Sequence, residues 1–117
     1  MITAADTKLR FKKEPRWWKI ALMDFVDDFR RHKDPTAIDK PFLIDDERRD
    51  AVLAGVIESL CDEMNIPLSV WLDEVPACSE PYFVSGIENL KAIAIVESPL
   101  RFRIRKVFVL ENFLSRV

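Results

Sequence analysis

Glycine and histidine are nearly absent from this chain, with two glycines and one histidine in 117 residues. So few glycines leave little material for tight hairpins or for loops that cradle a phosphate. A single histidine cannot build a histidine-based zinc site, and His32, in "RRHKD", is expected as a solvated side chain at a charged helix end. Cysteine is scarce as well. Cys61 and Cys78 are too far apart in the chain to suggest a metal motif, and Cys61 sits among apolar residues at helical spacing, where a reduced thiol behaves as a small hydrophobe. No apolar run approaches the ~20 residues of a membrane helix. The opening "MITAADTKLRFKKEP" lacks the apolar centre of a signal peptide, so the expected location is cytoplasmic and no membrane partner is expected. Neither a metal nor a cofactor motif is present, and a catalytic role is not expected.

An excess of one charge sign is also missing. Eighteen Lys and Arg against twenty Asp and Glu leave a net charge of -2, which removes the simplest argument for nucleic-acid binding. The distribution is less even. Residues 1–19 hold six bases against two acids, residues 20–100 seven against seventeen, and residues 101–117 five against one. From Asp50 to Leu90 there is no Lys or Arg at all. Basic ends around an acidic centre either close on each other in the fold or face a partner.

What is there is enough for one domain: 49% hydrophobic and 32% charged residues fit a single mostly α unit over residues 1–117, with about four helices and a short extended C-terminal segment. Residues 1–14 are expected as a flexible or extended arm. Trp18, Leu22, Phe25, Val26 and Phe29 recur at three- and four-residue steps, predicting a helix over residues 16–32 that starts after Pro15 and stops at "HKDPTAIDKP". Asp45 or Asp46 can cap a second helix running to about Asn65, whose wide stripe from Val52 to Met64 marks it as central. "IPLSVWLDEVP" predicts a short third helix anchored by Trp71 and Leu72. "IENLKAIAIVE" fits a fourth, capped by Ser85, although "AIAIV" also suits a buried strand.

The stretch "ESPLRFRIRKVFV" carries both signals. Leu100, Phe102 and Ile104 alternate with Arg101, Arg103 and Arg105, which is strand periodicity, while Ser98 and Pro99 form a helix start. We expect a short helix over residues 99–105 followed by an extended "VFV". Its bases have three readings: ion pairs with the acidic centre, a phosphate footprint shared with the basic N-terminal segment, or arginines gripping a protein partner around Phe102 and Phe108. Trp17, about 100° from Trp18 on a helix, is expected at the core edge or as an exposed anchor.

The C-terminal half supplies a resemblance, carried by Glu80, Pro81 and Phe83 in "EPYFVSG", by Glu97, Ser98 and Pro99, and by Phe102, Arg103, Arg105, Phe108, Leu114 and Arg116. This region resembles uncharacterised small bacterial proteins, some of them similar to the antitoxin-type members of toxin–antitoxin pairs. The resemblance implies a protein partner, and no glycine-containing turn joins two helices before Pro35 to supply a helix-turn-helix. The expected function is a non-enzymatic protein-binding domain, antitoxin-like or an adaptor, which docks a basic partner through Asp62, Glu63, Asp73 and Glu74, with Trp17, Phe102, Phe108, Arg101, Arg103 and Arg105 as further contacts. The alternatives are nucleic-acid binding by the basic ends and self-association of a structural protein around Phe102, Phe108 and Phe113.

Overall fold

In the computed structural model, which describes residues 1–115, five helices surround a core built on the longest of them. The chain runs α1 (Ala4–Lys13), α2 (Trp18–His32), α3 (Glu47–Met64), β1 (Tyr82–Phe83), α4 (Lys91–Glu97), α5 (Leu100–Arg103) and β2 (Val107–Phe108), with single 3-10 turns at Pro15–Trp17, Pro35–Ile38, Val70–Glu74 and Glu88–Leu90. The mostly α expectation holds. The two short strands pair in parallel, Tyr82 opposite Val107 and Phe83 opposite Phe108.

The N-terminal segment is a ten-residue helix where an arm was expected. Thr3 accepts the amide hydrogen of Asp6, and the Asp6 carboxylate accepts that of Thr3, so both ends of a capping box are made. Ala4, Thr7, Lys8 and Phe11 then point inward at three- and four-residue steps. Lys8 is buried although charged: its ammonium meets the carboxylates of Asp50 and Asp45 and the carbonyl of Leu43. Asp50 in turn accepts the amide hydrogens of Asp45 and Asp46 at 2.8 and 2.9 Å. A buried charge is tolerated only when paired and hydrogen-bonded in this way, and the cluster fastens α1 to the start of α3.

Helix α2 follows the predicted periodicity, burying Trp18, Ala21, Leu22, Phe25, Val26 and Phe29, and it ends at Lys33, which takes the left-handed conformation (φ 53°). Helix α3 starts at Asp46, whose side chain accepts the amide hydrogen of Arg49, and ends at a left-handed Asn65 (φ 55°). Between them nearly every residue from Asp50 to Cys61 is buried, as a central helix requires. The third predicted helix is one 3-10 turn, held down by the Trp71 indole donating to the carbonyl of Ile38 at 2.9 Å. Ser85 does not cap α4: its hydroxyl accepts from Ile87, and the helix begins only after the 3-10 turn. Ser98 likewise serves another segment, accepting the amide hydrogen of Val109 at 2.8 Å, so α5 has no side-chain cap.

Gly55 is the position where α3 meets α5. A Cβ there would lie 2.9 Å from Cδ1 of the fully buried Phe102 ring. Gly55→Ala should therefore lower stability, because overpacking costs about 1–3 kcal/mol while the better helix propensity returns only about 0.5–1 kcal/mol. The check is urea unfolding, with a lower midpoint for Gly55→Ala and partial recovery when Phe102→Leu is added.

Candidate functional site

The basic C-terminal stretch folds back on α3. Arg105 is buried, its Nε donating to Glu58 at 2.7 Å and its two terminal nitrogens to the carbonyls of Val75 and Leu72 at 2.8 and 3.1 Å. Arg101 grips Asp62 with two hydrogen bonds of 2.8 and 3.0 Å, which hold the Asp62 carboxyl below the usual range against the opposing effect of its partial burial. Arg103 donates to the carbonyls of Ile95 and Val96 at 3.0 and 2.7 Å, closing the end of α4. From α2, Arg30 takes Glu63 in a second two-point grip at 3.0 and 2.9 Å.

These contacts bear unequally on the residues expected to meet a partner. Phe102 and Arg105 are interior groups, so neither can meet a partner. Asp62, Glu63, Arg101 and Arg103 are engaged within the chain. Phe108 is half-buried, stacked on Phe83 with ring centres 5.1 Å apart. Asp73 and Glu74 do lie exposed, on the 3-10 turn. Trp17 is 50% exposed, with the Arg16 guanidinium 5.2 Å from its ring, which answers the core-edge question in favour of exposure. Arg116, one of the residues carrying the C-terminal resemblance, lies outside the described residues.

The surface that sequence reasoning missed is on α4 and α5. Ala94 is the one buried residue of α4. With about 100° per residue, the side opposite Ala94 is formed by Ala92 and Val96, flanked by Ile93 and Ile95, and all four are exposed. The polar residues Lys91 and Glu97 flank the buried side. In α5 and the residue after it, Phe102 points inward while Leu100 and Ile104, four apart, point out. Val96 and Leu100 are 75% and 70% exposed, which makes an apolar ridge from α4 into α5. The signal was available in "KAIAIVE", apolar on nearly every side, which has no polar face to turn to water.

Other groups offer less chemistry. His32 Nδ1 lies 3.3 Å from the Asp28 carboxylate, whose titration is lowered chiefly by the hydrogen bond from the Ile2 amide. Burial pushes the Cys61 thiol up to about 11 and raises Cys78 as well, away from the thiolate that nucleophilic chemistry needs. No group of metal-ligating side chains occurs among the described residues, and no helix there is long and apolar enough to cross a membrane. A cleft of about 730 Å³ beside α1 is lined by Ala5, Leu9, Phe42 and Leu43, but Lys8 and Lys12 on its wall are engaged by Asp50 and Asp45.

Comparison with protein-family models, curated proteins and solved structures finds no match.

The Arg105 contact gives a direct test of the basic stretch as a structural element. Arg105→Met strands a buried Glu58 carboxylate and should cost about 3–5 kcal/mol, whereas the paired Arg105→Met/Glu58→Met variant should lose far less. Denaturant unfolding of the two variants and of the parent decides it.

Proposed function

We propose that the chain is a non-enzymatic protein-association domain, of adaptor or antitoxin-like kind and cytoplasmic, which buries the outward face of α4 and α5 against another protein. The observation that carries this reading is the outer side of α4, formed by Ala92, Ile93, Ile95 and Val96. A helix apolar on nearly every side belongs in an interior, and an exposed apolar ridge marks an interaction surface. Six of the exposed large hydrophobic residues fall between Ile87 and Ile104. Covering them gains on the order of 5–10 kcal/mol, comparable with the cost of association, so the contact is reversible. Docking of a basic partner through the acidic centre falls to Asp73 and Glu74, since Arg101 and Arg30 already occupy Asp62 and Glu63.

A second reading, binding of a phosphate backbone, has its own observation. Lys19, Arg48 and Arg49 gather around Trp18 and Tyr82, with Arg49 4.1 Å from the Trp18 ring centre and Arg48 5.0 Å from that of Tyr82. None of the three makes an ion pair among the described residues. Trp18 is buried, so the cluster would meet phosphates rather than stack a base. It predicts retention of single-stranded DNA on a filter that weakens steeply with salt and with Arg48→Ala; salt-independent or absent retention removes it.

For the main reading, capture of protein by the tagged chain from a lysate of its source cells should be lost in Val96→Asp and Leu100→Asp and kept in Leu9→Asp, which places the same charge on exposed α1. Equal capture by all four proteins would reject the ridge.

A further inference from the structure

We propose that the cavity between α2, the end of β1 and the segment 109–113 binds a small organic acid, an apolar ring or short chain that carries one negative group. The cavity measures about 250 Å³ and is independent of the ridge. Lys19, Leu22 and Met23 line it from one face of α2, at steps of three and four residues. Leu22, Val84 and Val109 are buried and form its floor, while the exposed Lys19 marks its mouth. The walls are pinned in place: the Val84 amide donates to the carbonyl of Phe108 at 3.2 Å, the Val109 amide donates to Ser98 Oγ at 2.8 Å, and the Phe113 ring stands edge-on to Phe102 with centres 5.9 Å apart. Protein interiors leave few voids larger than a water, and a dry apolar cavity of about 150 Å³ already takes a benzene ring. This one therefore has room for an apolar body of that order.

Charge selects the head of the ligand. Among the described residues that line the cavity, Lys19 alone is charged, and no ion pair there engages it. Its ammonium lies 5.8 Å from the Trp18 ring centre, and the Arg49 guanidinium, also without an ion pair, lies 4.1 Å from the same centre. The mouth is thus positive with no carboxylate beside it in the lining. The other openings differ: the cleft beside α1 has Lys8 and Lys12 engaged by Asp50 and Asp45, and the groove beside α4 is lined by Glu97 and Glu111. A neutral apolar molecule would leave the Lys19 ammonium unused, and a bare anion would leave the floor of Leu22, Val84 and Val109 uncovered. Only a molecule with both parts meets a pocket that is apolar within and carries one convergent charge, and a lysine, as a point charge, suits a single negative group.

Titration of the full chain with hexanoate, followed by methyl NMR spectra, tests the proposal. Hexanoate should shift the methyl resonances of Leu22, Val84 and Val109 saturably, at one site per chain, and leave those of Leu9 and Leu43 in the cleft beside α1 unmoved. Acetate, which has the head without the body, should not saturate the site, and 1-hexanol, which has the body without the charge, should bind roughly tenfold more weakly. Lys19→Met, at an exposed position that folding does not depend on, should bring hexanoate down to the level of hexanol, and Met23→Trp, which fills the cavity, should abolish the shifts. Hexanol binding as tightly as hexanoate, or hexanoate binding that ignores Lys19→Met, overturns the acid as ligand. Acetate acting as hexanoate does overturns the cavity as its site, and so does an absence of saturable shifts at Leu22, Val84 and Val109. Single-stranded DNA held by a chain that ignores hexanoate overturns the proposal too and assigns the bases to a phosphate backbone.

Discussion

The direction in which Arg105 points decides the C-terminal third of the molecule. Once its guanidinium is buried against Glu58 and the carbonyls of Leu72 and Val75, the neighbouring side chains have no choice of side. Phe102, three residues earlier, must enter the core over Gly55, and Leu100 and Ile104 must face out. An ion pair taken out of water contributes little net stability, because desolvation offsets the attraction. What it does here is fix register. The same guanidinium joins α3, the turn after Ser69 and the end of α5, donating to the carbonyl of Val75 and giving that of Leu72 a second donor beside the Val75 amide.

A second anchor works in the same way near the start of α3. Lys8 brings α1 to Asp50, and together with Glu58, Asp62 and Glu63 the helix forms a row of acids that receives bases from α1, α2 and α5. The charge asymmetry along the sequence is thus largely consumed inside the fold. Asp73 and Glu74 and the cluster of Lys19, Arg48 and Arg49 stay outside these pairs, and beside them the distinctive feature left on the surface is an apolar shape. The protein-association reading follows from that subtraction as much as from the ridge itself.

Periodicity made α2 and α3 legible, because each has one polar side that water selects. It failed for α1, where four bases among ten residues suggested an arm and the reciprocal Thr3 and Asp6 bonds outweighed that composition. It failed for the orientation of α4 for the opposite reason: a segment apolar all round carries no phase, so the sequence could not say that Ala94 alone would face inward. Alternation in "LRFRIR" mixed two helical faces, since Phe102 and Arg105 share the buried side while Arg101 and Arg103 pair with groups on other elements. The role of Ser98 was invisible because its partner, Val109, lies beyond the helix it was expected to cap.

The two short helices could not exist on their own. Seven residues with no side-chain cap and one buried side chain fall well below the length at which an isolated helix holds in water. Helix α4 is kept by its ends: Arg103 ties down its last carbonyls, Glu97 accepts the amide of Glu111, and Ser98 joins Ala94 to Val109. Core burial therefore does not explain why this segment is helical and apolar on its outer side. A chain under no demand beyond folding would place Lys or Glu at Ala92, Ile93, Ile95 and Val96, where such residues keep helix propensity and meet water. The aliphatic side chains found there leave about half or more of their surface in water, Val96 75% of it, which is the physical reason to assign them to a contact with another protein.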